Sequence, residues 1–163
     1  MRYLTFALVA VLVSPGSLAS RSAQTKPDFT GSWRLDHARS DAAAQAETPG
    51  PVTIVIKQSA TELHITTTTT RGTTDMRYLF VAADAPPLTT GPNARWQGDT
   101  LVTHAVRDVR GQSVTVQQSR RLDAGGNEMI VESIVNVQHG YSASGAQTYG
   151  ASKDVFVKLP PTQ

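Results

Sequence analysis

The sequence predicts an all-β fold, in which an antiparallel up-and-down meander of about eight or nine strands closes into a barrel. Short runs of alternating apolar and polar residues recur along most of the chain, and such alternation is typical of strands with one buried face. Turns of roughly two to five residues separate most of these runs, and turns of that length join antiparallel neighbours. A meander of this length must hide its two edge strands, which closure into a barrel achieves.

The first stretch of the chain has the pattern of a secretory signal peptide. A positive charge at Arg2 precedes an apolar run over residues 3–13, which is shorter than the roughly 20 residues that a membrane-spanning helix needs. Small residues favour cleavage after Ala19, and cleavage after Ala23 is the alternative. We therefore expect residues 1–19 to be removed from an exported, soluble protein that is periplasmic or extracellular.

The mature chain is expected to form one domain. Residues 20–27 are a polar leader that we expect to be flexible, and residues 28–160 form the barrel domain. A mature chain of about 140 residues buries roughly two-thirds of its unfolded surface, so it can hold a core without covalent staples. The chain contains no cysteine, which excludes disulfides and a lipid anchor at the cleavage point. We expect no transmembrane segment in the mature chain.

The charge pattern argues against a nucleic-acid partner. The chain has 15 basic residues and 13 acidic residues, so the two signs nearly balance. Arg120 and Arg121 form the only basic doublet. Binding to nucleic acid depends on many clustered lysine and arginine contacts to phosphates. We therefore expect no nucleic-acid binding.

Nine runs carry the strand pattern. A long polar connection follows the first run, and its residues 41–47 favour one or two helical turns because alanine and glutamine are good helix formers. The third run is rich in threonine, which has a high β propensity. Val155, Val157 and Leu159 alternate with other residues in the last run. In chain order the predicted strands cover residues 29–35, 52–57, 63–70, 75–81, 94–96, 101–108, 113–122, 129–138 and 153–159.

Glycine and proline mark the connections between the runs. Gly98 and Asp99 form a two-residue hairpin signal. Two longer connections, residues 82–92 and 140–152, are predicted to be loops that line an open end of the barrel. Tyr141 and Tyr149 lie in the second of these loops, where their amphipathic rings are candidates for ligand contacts.

The first predicted strand contains a Gly-x-Trp formed by Gly31 and Trp33. At the start of a meander this motif resembles the opening motif of lipocalins and the wider calycin group. Residues 29–40 and 94–102 are also similar to strings in uncharacterised exported bacterial proteins. The resemblance covers most of the mature chain and implies a lipocalin-like barrel.

The resemblance also implies a structural role for the motif. In lipocalins the tryptophan packs at the closed end of the barrel, and a basic side chain from a late strand lies over its ring. On this basis Trp33 is expected to close one end, with Gly31 allowing the close entry of the chain. Arg120 and Arg121 are the first candidates for the basic side chain, and Lys158 follows them.

The sequence contains no catalytic or metal signature. The four histidines have no spacing that would place two on one face of a strand or helix, and no cysteine can complete a metal site. No serine lies in a Gly-x-Ser-x-Gly nucleophile elbow. We therefore assign no catalytic residue, no metal ligand and no cofactor.

Five residues are candidates for ligand contacts. Trp96 is a large ring beside a glycine turn, although a role in the core is the alternative. Glu132 interrupts an otherwise apolar strand, and the solvent face of that strand is its alternative place. The full set is Trp96, Tyr141, Tyr149, Glu132 and His104.

Three functions remain open on these observations. The first is the binding of a small, mostly apolar molecule inside the barrel, since a barrel of about eight strands is just wide enough to hold one. The second is a structural or protein-interaction barrel with a filled core. The third is a hydrolase-type enzyme, which would need Glu132 or His104 to face the interior beside Arg120 or Arg107. The direction in which Glu132, His104 and Arg120 point separates these functions.

Overall fold

Nine strands form one closed barrel in a computed structural model, which describes residues 25–41, 50–85, 91–109, 112–138 and 147–161. Neighbouring strands in the chain are neighbours in the barrel, and the last strand pairs with the first. This confirms the predicted all-β meander and its closure. The strands are β1 (Gly31–Leu35), β2 (Thr53–Gln58), β3 (Glu62–Thr69), β4 (Gly72–Phe80), β5 (Asn93–Gln97), β6 (Thr100–Val109), β7 (Gln112–Leu122), β8 (Glu128–Gln138) and β9 (Gln147–Lys158).

One strand pair departs from the predicted antiparallel pattern. β4 and β5 run parallel and pair through Leu79 with Asn93 and Phe80 with Ala94, whereas all other neighbours are antiparallel. The connection over residues 81–92 explains the difference, because it reaches the length of about a dozen residues that a parallel crossover needs.

The last strand begins earlier than predicted. Residues 147–152 were expected to belong to a loop because they are small and polar, but β9 already begins at Gln147. Its first half pairs with the far end of β8, with an irregularity in register between Ile134 and Asn136. The long neighbouring strand therefore overrides the weak local β propensity of these residues. The predicted signal peptide, residues 20–24 of the predicted leader and residues 42–47 of the predicted helical turns (41–47) lie outside the described residues. Residues 25–27 of the leader are described, and the carbonyl oxygen of Pro27 accepts a hydrogen bond from Gln58 Nε2 at 3.1 Å.

The end of the barrel that contains Trp33, here called the Trp33 end, is tightly packed. Trp33 is 0% exposed, and its Nε1 donates a hydrogen bond to the carbonyl oxygen of Phe29 at 3.0 Å. Lys158 Nζ lies 5.2 Å from the centroid of the Trp33 ring. Lys158 is the register partner of Trp33 in the β1–β9 pair, so strand pairing alone brings the cation to the ring.

Gly31 allows this close approach of β1 and β9. Its φ is 143°, a conformation that residues with a Cβ rarely adopt. A Cβ at this position would lie 3.1 Å from Cε of Lys158. Both the backbone conformation and the closeness of Lys158 therefore favour glycine at position 31.

A second aromatic cluster completes the Trp33 end. The ring of Trp96 stacks on Phe80, with centroids 6.0 Å apart and planes 5° apart. Phe29 lies on another side of Trp96, with ring centroids 6.1 Å apart, and Lys26 Nζ lies 5.7 Å from the Trp96 ring centroid.

Among the described residues, no helix is long and apolar enough to cross a membrane.

Candidate functional site

A cavity of about 430 Å³ occupies the interior of the barrel beyond the Trp33 end. Its lining comes from every strand except β5. The lining residues follow the strand alternation, with even-numbered positions of β4 and β7 and odd-numbered positions of β3, β6 and β8. The volume lies in the range of roughly 300–1,000 Å³ that is typical of small-molecule sites.

The two sides of the cavity differ in charge. The side formed by β1 to β4 has uncharged lining residues, among them Leu35, Ile54, Ile65 and Met76. All the charged lining residues lie on β6, β7 and β9, and they are Arg107, Arg120 and Asp154. The uncharged side also carries the hydroxyl groups of Thr67, Thr69, Thr74 and Tyr78. The cavity is therefore amphipathic, with uncharged apolar and hydroxyl side chains on β1 to β4 and the charged groups on β6, β7 and β9.

Arg120 is the most buried charged group of the cavity, with 2% of the residue exposed. Its Nη1 donates to Thr103 Oγ1 at 2.7 Å, and its Nη2 donates to Gln118 Oε1. Gln118 Nε2 in turn donates to Ser133 Oγ at 3.1 Å. Three strands thus hold the guanidinium through neutral oxygen acceptors.

The charge of Arg120 has no counter-ion among the described residues. No ion pair joins it to a carboxylate there, and its Nε has no hydrogen-bond partner. Burial lowers the pKa of Arg120 to about 10, so the side chain remains a cation at neutral pH. A buried cation of this kind costs several kcal/mol unless it is paired, and such groups cluster at functional sites.

Asp154 places a second unsatisfied atom in the same cavity. Its Oδ1 is buried without a hydrogen-bond partner among the described residues. Burial raises the pKa of Asp154, and the nearby charge of Asp41 adds to the effect. Arg120 pairs with Val131, and Val131 pairs with Asp154, so the two charged residues lie two strands apart, about 9–10 Å at the backbone.

Two of the residues predicted to contact a ligand point away from the cavity. Glu132 lies on the outer face of β8, where its Oε1 accepts a hydrogen bond from Arg121 Nη2 at 2.9 Å. His104 alternates with the cavity-facing positions of β6 and is absent from the lining. Burial lowers the pKa of His104, and the charge of Arg95 lowers it further. Neither residue can meet a ligand in the interior from these positions.

The remaining predicted residues have different places. Trp96 packs in the aromatic cluster of the Trp33 end and does not line the cavity. Tyr141 lies outside the described residues, and only the backbone of Tyr149 is described, as part of β9. Arg120 and Arg121, the first candidates for the base over Trp33, lie elsewhere, and Lys158 occupies that position.

The sequence contained a signal for Arg120 but a weak one for Asp154. Arg120 has the same parity as Val114, Val116 and Leu122, so it interrupts an apolar face just as a buried charge would. The alternation in β9 favoured Val155 and Val157 as the inward-facing residues, whereas Asp154 and Phe156 line the cavity.

A second concavity of about 370 Å³ lies outside the barrel, at the connection between β1 and β2. It is lined by Arg34, Leu35, His37, Gly50 and Pro51. Residues 42–49 of the same connection lie outside the described residues, and we assign no function to this concavity. In the part of the chain that the structure describes, no group of three potential metal ligands occurs.

No protein-family model matches this sequence, and no curated protein matches it significantly. The functional proposal therefore depends on the fold, the cavity and the charged groups within it.

Proposed function

We propose that the barrel binds a small, mostly apolar molecule in its interior cavity, as an exported protein in the location that its N-terminal pattern predicts. The observation that carries the proposal is the cavity of about 430 Å³, whose lining on β1 to β4 is uncharged and combines apolar side chains with hydroxyl groups. A barrel whose only role were structural would be expected to fill this space with side chains.

The surface gives less support to the alternative of a protein-interaction barrel. The large apolar side chains that are exposed among the described residues are Val55, Leu79 and Ile134. They belong to β2, β4 and β8, which are not neighbours in the barrel. A docking surface for a protein would be expected to gather such residues in one patch.

The enzyme alternative gains no support from the residues on which it depended. Glu132 and His104 both lie on outer faces of their strands, away from Arg120 and Arg107. Asp154 is the one carboxylate of the cavity lining, and it makes no hydrogen bond to a histidine among the described residues. Binding remains the function with the best physical basis.

The proposal is tested by native mass spectrometry with fatty acids, haem and aromatic compounds. We expect at least one compound to bind with a stoichiometry of one per chain. Val116→Trp would fill the cavity, because Val116 lines it, and should lower the affinity at least ten-fold. Gln117→Trp is the matched control, since Gln117 faces outward on the same strand and should leave the affinity unchanged. Equal binding by both variants would place the ligand elsewhere and contradict the proposal.

A further inference from the structure

The unpaired cation of the cavity indicates the chemical class of the ligand. We infer that the molecule bound in the barrel is a small amphipathic acid, whose anionic group is received by the guanidinium of Arg120. This inference depends on the proposed binding function and names the ligand class for the same cavity.

The guanidinium is held in place but not neutralised. An arginine side chain has five N–H donors, and Thr103 and Gln118 accept from Nη1 and Nη2. Both acceptors are neutral, so they orient the group and leave its charge uncompensated. Nε is buried and has no partner, so it adds to the unmet donor capacity of the group. A carboxylate, the anion that fits this planar group best, would meet those donors of Arg120 that line the cavity.

The acceptors are themselves fixed by further hydrogen bonds. Gln118 donates from its amide nitrogen to Ser133 Oγ, which leaves its oxygen directed to Arg120. Thr103 Oγ1 also donates to the backbone oxygen of Gln118 at 3.5 Å. The cation is therefore preorganised by β6, β7 and β8, and a ligand would not need to order it on binding.

The charges of the whole cavity favour an anion. Two arginines and one aspartate are the charged residues of the lining, so the lining is positive even when Asp154 is ionised. Arg107, which is exposed, adds to the attraction from a position nearer the opposite end of the barrel. Asp154 makes no ion pair with either arginine among the described residues.

The rest of the cavity suits an apolar body. Leu35, Ile54, Ile65 and Met76 provide apolar lining on β1 to β4, which carry no charged lining residue. A molecule with a hydrocarbon or aromatic body and one acidic group can contact this side while its anion meets Arg120. A neutral molecule of the same shape would leave Arg120 buried and unpaired, which is the more costly arrangement.

The test compares an acid with a neutral molecule of the same chain. The probes are decanoate and decanol, titrated calorimetrically into the purified protein at constant ionic strength. A hydrogen bond to a charged group corresponds to roughly a ten- to hundred-fold preference for decanoate. In Arg120→Met this preference should disappear, with little change in the affinity for decanol. Arg121→Met, on the outer face of the same strand, is the control and should retain the preference.

Each outcome has a distinct meaning. If the parent protein binds decanol as tightly as decanoate, the inference is wrong, while the proposed apolar binding stands. If it binds neither compound, the inference fails, and the haem and aromatic compounds of the mass-spectrometry test then decide the proposed function separately. Persistence of the acid preference in a folded Arg120→Met protein would also overturn the inference. Should that variant not fold, the ratio of the two affinities in the parent still decides.

Discussion

The Trp33 end and the cavity half of the barrel share strands such as β1 and β9, yet their buried polar groups differ in whether they have hydrogen-bond partners. At the Trp33 end the indole nitrogen has its acceptor, the carbonyl of Phe29, and a lysine lies over the ring. In the cavity half, Arg120 Nε and Asp154 Oδ1 are buried without partners among the described residues. The first arrangement is what stability requires, and the second is what a binding site retains at a cost in stability.

Among the substitutions that test this comparison, replacement of Trp33 should cause the largest loss of stability. Trp33→Ala removes the largest fully buried side chain, and truncation of a buried aromatic costs about 3–5 kcal/mol. The measurement is a denaturant melt beside the parent protein, with Arg34→Ala as the exposed neighbour that should change stability by no more than about 0.5 kcal/mol. A loss below about 1 kcal/mol for Trp33→Ala would mean that the Trp33 end does not carry the stability.

Substitution of Gly31 should have the next largest effect. Gly31→Ala forces an unfavourable φ and brings a Cβ to 3.1 Å from Lys158 Cε, with an expected loss of about 1–3 kcal/mol. Gly72→Ala is the matched control, because Gly72 also has a positive φ but no atom near the position of its Cβ. The difference between the two melts measures the contact with Lys158, and a larger loss for Gly72→Ala would contradict the account.

Two aspartates should give opposite pH dependences. Asp123, in the turn between β7 and β8, accepts from the backbone N–H groups of Glu128 and Asn127, and these bonds lower its pKa. Its contribution to stability is therefore present at neutral pH and lost as the pH falls below about 4. The pKa of Asp154 is raised by burial, so its folded form favours the proton, and stability falls as the pH rises from about 4 through that pKa.

The corresponding variants test these signs by denaturant melts over the same pH range. Asp123→Asn should destabilise the protein at neutral pH, whereas Asp154→Asn should stabilise it there. Asp154→Asn should also increase the affinity for decanoate, because it removes a negative charge from the cavity. Destabilisation by both substitutions at neutral pH would mean that Asp154 is a structural residue and not a strained one.

The sequence predicted the fold more fully than the site. Alternation and turn composition located all nine strands, because each depends on local patterns. The parallel β4–β5 pair and the early start of β9 depend on contacts between distant segments, which local patterns do not contain. Lys158 lies over Trp33 because of the β1–β9 register, and that register follows from barrel closure.

The site residues were harder to predict because a strand assignment must be correct to a single residue. Glu132 and Asp154 are both acidic residues on neighbouring strands, and one position of register decides which of them faces the ligand. Arg120 has the parity of an inward-facing residue, but the family resemblance predicted that it lies over Trp33, which is wrong because Lys158 lies there. Its partners, Thr103 and Gln118, became apparent only when β6 and β7 were paired.

The most direct test of the central claim measures two properties of Arg120→Met together. The account predicts that the free energy of unfolding rises by about 1–2 kcal/mol, because an unpaired buried cation is replaced by an apolar side chain of similar length. It also predicts that the affinity for decanoate falls at least ten-fold. A fall of more than about 1 kcal/mol in unfolding free energy with unchanged affinity for decanoate would show that Arg120 is a structural link between β6, β7 and β8, and would contradict the account.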